Sequence, residues 1–153
     1  MTRIEPQGGT PSAQSALIIA EARRWIGTPY RHQASVLGAG CDCLGLVRGV
    51  WRAVHGAEPE PIPPYSADWS ETSGEEALWH ALMRHMRAVE TKTRPGQILL
   101  FRMHNGRMAK HLGICTSDTA QPRFVHAYCG HGVVESPLSP PWERRIAARF
   151  ELN

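Results

Sequence analysis

Apolar side chains fall at helical spacing in the first half of the chain and at strand spacing in the second. Thr10-Pro11 reads as an N-cap followed by Pro at the first helical position, which predicts a helix from Pro11 to Ile26. Leu17, Ala20 and Arg24 share its spacing, and Gly27 stops it. Residues 27–40 are rich in Gly and small side chains and read as loop. Asp42 is a candidate N-cap for a second helix, on which Leu46, Val47, Val50, Trp51 and Val54 form one apolar face and Gly56 is the stop. Residues 57–72 are Pro-rich and aperiodic, as expected of an ordered surface loop. Ser73-Gly-Glu-Glu76 matches a capping box, predicting a helix to about Val89 with Leu78, Leu82 and Met86 on one side.

The character then changes. Arg94-Pro95-Gly96 makes a turn, Gln97–Met103 reads as a buried strand, and Asn105-Gly106 signals a hairpin. Residues 110–116, 123–129 and 145–152 read as further strands. Helices followed by an antiparallel sheet define an α+β fold.

The chain has 153 residues, enough for one domain with its own core: a short flexible arm over 1–9 and a single domain over 10–153. A net charge of +3 is too small an excess of base to indicate a nucleic-acid partner. The apolar run Ala16–Ala20 is too short for a signal-peptide core or a membrane span. The expectation is a chain made in the cytoplasm without a signal peptide and without membrane insertion. Cys41, Cys43, Cys115 and Cys129 lack the CxxC pairs of a structural zinc site, and no metal or cofactor is expected.

Cys43 stands at the start of the second helix. A thiol attacks as thiolate, and the unsatisfied N–H groups and dipole of a helix N-terminus favour that anion. The same N–H groups suit the oxyanion of a tetrahedral intermediate. The plain alternative is a small buried hydrophobe. On the strand over 110–116, Leu112 and Ile114 share one face, so His111 lies on the other. His126 likewise lies opposite Val125 and Ala127. If the two strands are neighbours, one imidazole can take the thiol proton and the other can orient it. A satisfied structural histidine or a surface residue is the alternative for both. A metal site built from Cys41, Cys43 and these histidines is a third possibility, disfavoured by the Cys-x-Cys spacing.

Five segments carry a resemblance in order and spacing: Gly27-Thr-Pro-Tyr30, Gly40-Cys-Asp-Cys-Leu-Gly-Leu-Val47, Pro95-Gly-Gln-Ile-Leu-Leu-Phe101, Lys110-His-Leu-Gly-Ile114 and Phe124-Val-His-Ala127. Together they resemble the NlpC-type cell-wall cysteine peptidases. The resemblance implies a reduced papain-like fold, N-terminal helices packed on a C-terminal antiparallel sheet. It implies Cys43 as nucleophile, His111 as general base, His126 as the orienting residue and Tyr30 as a support of the oxyanion site. It implies hydrolysis of peptidoglycan stem peptides, at a γ-D-glutamyl bond to a diamino acid. Leu44 and Gln97 depart from the Ser and Asp common at their places.

Thr28-Pro-Tyr-Arg-His32 and Cys43-Leu-Gly-Leu-Val-Arg-Gly49 are most similar to a phage-tail and gene-transfer-agent subgroup. That implies tail-hub or tail-tip partners, carriage in a virion-like tail, and action in the cell wall or periplasm. A structural tail-tip adaptor that keeps the peptidase fold is the alternative. Other residues read as bland: Trp25 and His32 as groove-lining or partly buried, His131 and Glu135 as bystanders. Trp142-Glu-Arg-Arg145 reads as a solvated strand edge, Cys115 and Cys129 as core thiols, and Cys41 as an inert loop thiol or a strained cap on Cys43.

Overall fold

The computed structural model describes residues 12–59, 77–103 and 109–152. The expected arm, the hairpin at Asn105-Gly106, the capping box and most of the Pro-rich loop lie outside them.

Helix α1 (Ala13–Arg24) is capped by Ser12, whose hydroxyl accepts from the Ser15 N–H at 3.1 Å. It therefore starts later than the expected Pro11. Its buried face is Ile18, Ile19 and Ala22, continued by Trp25, while Leu17 is 46% exposed. The unbroken apolar run over 16–20 does not say which of its members faces inward. Gly27 ends the segment at φ 93°, and its N–H donates to the Val133 carbonyl.

The expected loop over 27–40 contains a small antiparallel pair, β1 (Ser35–Val36) and β2 (Gly40–Cys41). Helix α2 (Cys43–His55) follows, with Asp42 as N-cap and Gly56, at φ 84°, as stop. Leu46, Val47 and Val50 are buried as the periodicity predicts. Two glycines set how closely α2 is approached. A Cβ on Gly45 would sit 1.9 Å from the Ala34 carbonyl oxygen, and one on Gly49 would sit 2.1 Å from the Trp25 ring.

Helix α3 (Ala77–His85) is shorter than predicted. Met86–Val89 is not its last turn but strand β3, paired antiparallel with the C-terminal strand β8 (Ile146–Leu152) in the register Met86↔Leu152. Long-range pairing overrides a local helical pattern here. The remaining strands are β4 (Ile98–Arg102), β5 (Ala109–Ser117), β6 (Arg123–Tyr128) and β7 (Gly132–Pro137). They form one antiparallel sheet in the order β3-β8-β4-β5-β6-β7. A short helix, α4 (Pro140–Glu143), precedes β8. Trp142 therefore stands in a helical turn, not on a strand edge. Its ring packs 5.3 Å from Phe101 and 5.2 Å from Phe124.

Strand alternation divides the core in two. Ile98, Leu100, Leu112, Ile114, Val125 and Ala127 pack toward α1 and α2. Leu99, Phe101, Cys115 and Phe124 pack under Leu138 and Trp142. By the same alternation His111 and His126 belong with the second set.

Candidate active site

Asp42 fixes the start of α2 from two sides. One carboxylate oxygen accepts from the Gly45 N–H at 2.7 Å, and the other accepts from the Gln33 N–H at 2.7 Å. Gln33 is held at φ 66°, a left-handed conformation unusual for this residue. The cap thus ties the preceding loop to the first turn of the helix, where Cys43 is the first residue.

The pairing of β5 with β6 runs only from Ser117↔Arg123 to Ile114↔Val125. Beyond it, the edge of β5 around His111 is available to α2. Cys43 occupies that edge. Its thiol donates to the Lys110 carbonyl at 3.8 Å, and its sulfur accepts from the Leu112 N–H. The two β5 residues that hold the sulfur flank His111.

His111 Nε2 and His126 Nδ1 are 2.9 Å apart, with the rings edge to face at 78°. His126 Nε2 lies 2.9 Å from the Ser136 hydroxyl. Both imidazoles are buried, at 8% and 1% exposure. Trp142 stands 5.7 Å from His111 and 5.2 Å from His126, and Tyr128 flanks both. These rings account for the burial of the pair.

Burial sets the protonation states. It pushes the Cys43 thiol up to about 12, with the Asp42 carboxylate adding to the effect. It pulls His111 down to about 3, with His126 adding, and His126 down to about 4, with His131 adding. At neutral pH the Cys43 thiol and both imidazoles are therefore uncharged. Tyr30 forms an isolated bridge to Cys41, and its phenol is pushed up to about 12 by burial and then by Cys43. It keeps its proton at neutral pH and can act as a donor.

These histidines make an expectation about stability. Their folded pKa values lie below the unfolded value near 6.5, so the unfolded chain binds more protons between the two. Stability is full above pH 6.5 and is lost as pH falls. Each histidine costs roughly 2–3 kcal/mol by pH 4.5. Urea midpoints at pH 7 and pH 4.5 check this. A His126→Asn variant should lose distinctly less stability over the same interval than the native chain.

The structure brings together Cys43, His111 and His126, with Tyr30 bridged to Cys41 on the strand just before Cys43. Other sequence expectations fare variously. Trp25 is 3% exposed and belongs to the core, so it lines no groove. His32 is exposed, with Nδ1 3.8 Å from Asp42 Oδ2. Glu135 accepts from Thr116 and pairs with Arg23, tying α1 to β7. His131 stacks on Tyr128 at 5.2 Å. All four cysteines are free thiols. Cys41 and Cys115 are buried, but Cys129 is exposed at the β6–β7 turn, contrary to its reading as a core thiol. Among the described residues no group of three or more His, Cys, Asp or Glu could hold a metal ion. Gln97 is a buried structural residue whose side chain accepts from the Arg94 N–H at 2.9 Å and donates to Thr91 at 3.1 Å. Sequence reading missed Ser136. A strand over 132–137 would have placed it on the face of His126, but that strand was not legible.

The sequence model of the NlpC/P60 family matches residues 27–150. The chain belongs to the NlpC/P60 family. A "Probable endopeptidase" of Haemophilus influenzae is 26% identical over 140 residues, 89% of this chain and 73% of that protein. An NlpC/P60 family protein of Bacillus cereus superposes with a TM-score of 0.60 at 20% identity, over 97% of this chain and 42% of that one. NlpC2 of Trichomonas vaginalis superposes with a TM-score of 0.63 at 14% identity, over 94% of this chain and 49% of that one. The chain thus spans less than half the length of these solved NlpC/P60 structures. Their likeness establishes the fold as the α+β, papain-like arrangement of the family.

Proposed function

We propose that this NlpC/P60 chain is a cysteine endopeptidase of peptidoglycan stem peptides, with Cys43 as nucleophile. The observation that carries the reading is the seating of the Cys43 sulfur between Lys110 and Leu112, with His111 bonded to His126 behind it. The endopeptidase assignment of the Haemophilus relative supports the same class.

In this mechanism the neutral thiol gives its proton to His111 Nδ1 as sulfur attacks the scissile carbonyl. His111 Nε2 is engaged with His126, which keeps the ring oriented. The negative charge on the former carbonyl oxygen is met by N–H groups of the first turn of α2 and the Tyr30 phenol. His111 then protonates the departing amine, leaving a thioester on Cys43. Water, deprotonated by His111, hydrolyses the thioester and restores the thiol.

The bond proposed is the γ-D-glutamyl bond to a diamino acid, on the strength of the sequence resemblance. Incubation with purified muropeptides, read by mass spectrometry, tests it. The expected products are a fragment ending in D-Glu and one beginning with the diamino acid. Cleavage at the sugar–peptide amide instead would overturn the bond assignment. The tail-borne reading, with tail-hub or tail-tip partners, rests on residues 28–32 and 43–49. It predicts co-sedimentation of the chain with phage-like particles, and its absence from purified particles would refute it.

A further inference from the structure

The hydrogen bonds behind the proposed base continue one residue beyond the expected pair. His111 Nε2 meets His126 Nδ1 at 2.9 Å, and His126 Nε2 meets the Ser136 hydroxyl at 2.9 Å. A neutral imidazole carries one N–H and one bare nitrogen, so each bond in this line fixes the next. There are two consistent settings. If Ser136 donates to His126 Nε2, the His126 proton lies on Nδ1 and points at His111 Nε2. The His111 proton is then on Nδ1, and the ring cannot accept from the thiol. If Ser136 accepts, His126 carries its proton on Nε2 and its bare Nδ1 accepts from His111 Nε2–H. His111 Nδ1 is then bare.

We propose that Ser136 is a positioning residue: by accepting from His126 Nε2–H, it sets both imidazoles in the tautomers that leave His111 Nδ1 open to the Cys43 proton. The choice of the accepting setting rests on the proposed function above, since only that setting leaves His111 able to act as base; the spectra below test it independently of activity. Three further observations support the role. Ser136 lies on β7, and His126 pairs with Val134 of that strand, so the two side chains share a face. Ser136 is half-buried, so its hydroxyl hydrogen can turn to solvent while its oxygen accepts. His126 is itself buried among aromatic rings, and Ser136 is the side chain that meets its Nε2.

The test is ¹⁵N–¹H correlation of the histidine rings near neutral pH in the native chain, Ser136→Ala and Ser136→Thr, with cleavage kinetics on the same samples. His111→Gln and His126→Asn spectra assign the signals. The native chain should show Nε2–H on both His111 and His126. Ser136→Ala should show mixed tautomers at His126 and a kcat lower by roughly tenfold, with KM within about twofold. Ser136→Thr, which keeps the hydroxyl, should restore both. A native His126 protonated on Nδ1 would overturn the proposal whatever the kinetics. So would a Ser136→Ala variant with native tautomers and native kcat. If the native chain cleaves nothing, the spectra still decide the tautomer order, so failure of the peptidase reading is distinguishable from failure of this one.

Discussion

Replacing Cys43 by Ala should reduce stem-peptide hydrolysis by on the order of 10⁴-fold or more while leaving the fold in place. The two halves of this expectation have separate causes. The sulfur is the only atom removed, and it is the one that would form the thioester. The fold loses little because Cys43 is half-buried and Ala is a good helix former. The Asp42 cap, which anchors the helix start through Gly45 and Gln33, does not involve the thiol. Product release from muropeptides, with a melting curve on the same preparation, checks both. Substantial activity in the variant would remove Cys43 from the mechanism.

Replacing His111 by Gln should lower kcat by about 10²–10⁴-fold, the usual contribution of a general base. Gln can still bond His126 through its terminal amide but cannot take a proton. Two signatures separate this from simple damage. With the thiol pushed up to about 12 and no base beside it, residual activity should climb with pH as the thiolate forms unaided. The variant should also resist acid better than the native chain, because one buried neutral imidazole is gone. Kinetics from pH 6 to 9.5 and urea midpoints at pH 4.5 measure the two. A pH-independent residual rate would argue against the general-base role.

Much of the candidate site was legible in the sequence, because the placement of each residue on its own element rests on a local rule. Asp42 followed by an apolar helical face places Cys43 at a helix start, and the structure has that cap. Period-two alternation puts His111 and His126 opposite their apolar neighbours, and adjacency of β5 and β6 then brings the rings together. What was not legible depends on partners distant in sequence. Met86–Val89 continues a helical pattern, yet it is a strand because β8, some sixty residues later, offers it an edge. Ile18 and Ile19, not Leu17, face inward because α2 and β5 pack against that side of α1. Trp142 reads as surface in a charged stretch but is drawn down by Phe101 and Phe124. Ser136 had no signal of its own, since a serine before a proline reads as turn until β7 is known to pair with β6.

The most direct measurement is the loss of cleavage during thiol alkylation, followed residue by residue. Exposed Cys129 would react first, so the Cys129→Ser chain is used, and Cys41 and Cys115 are buried. The protein is treated with iodoacetamide, sampled over time, and each sample is digested for mass mapping and assayed on muropeptides. Cleavage that falls in proportion to modification of Cys43 is the expected result. Undiminished cleavage by protein fully modified at Cys43 would contradict the mechanism at its root.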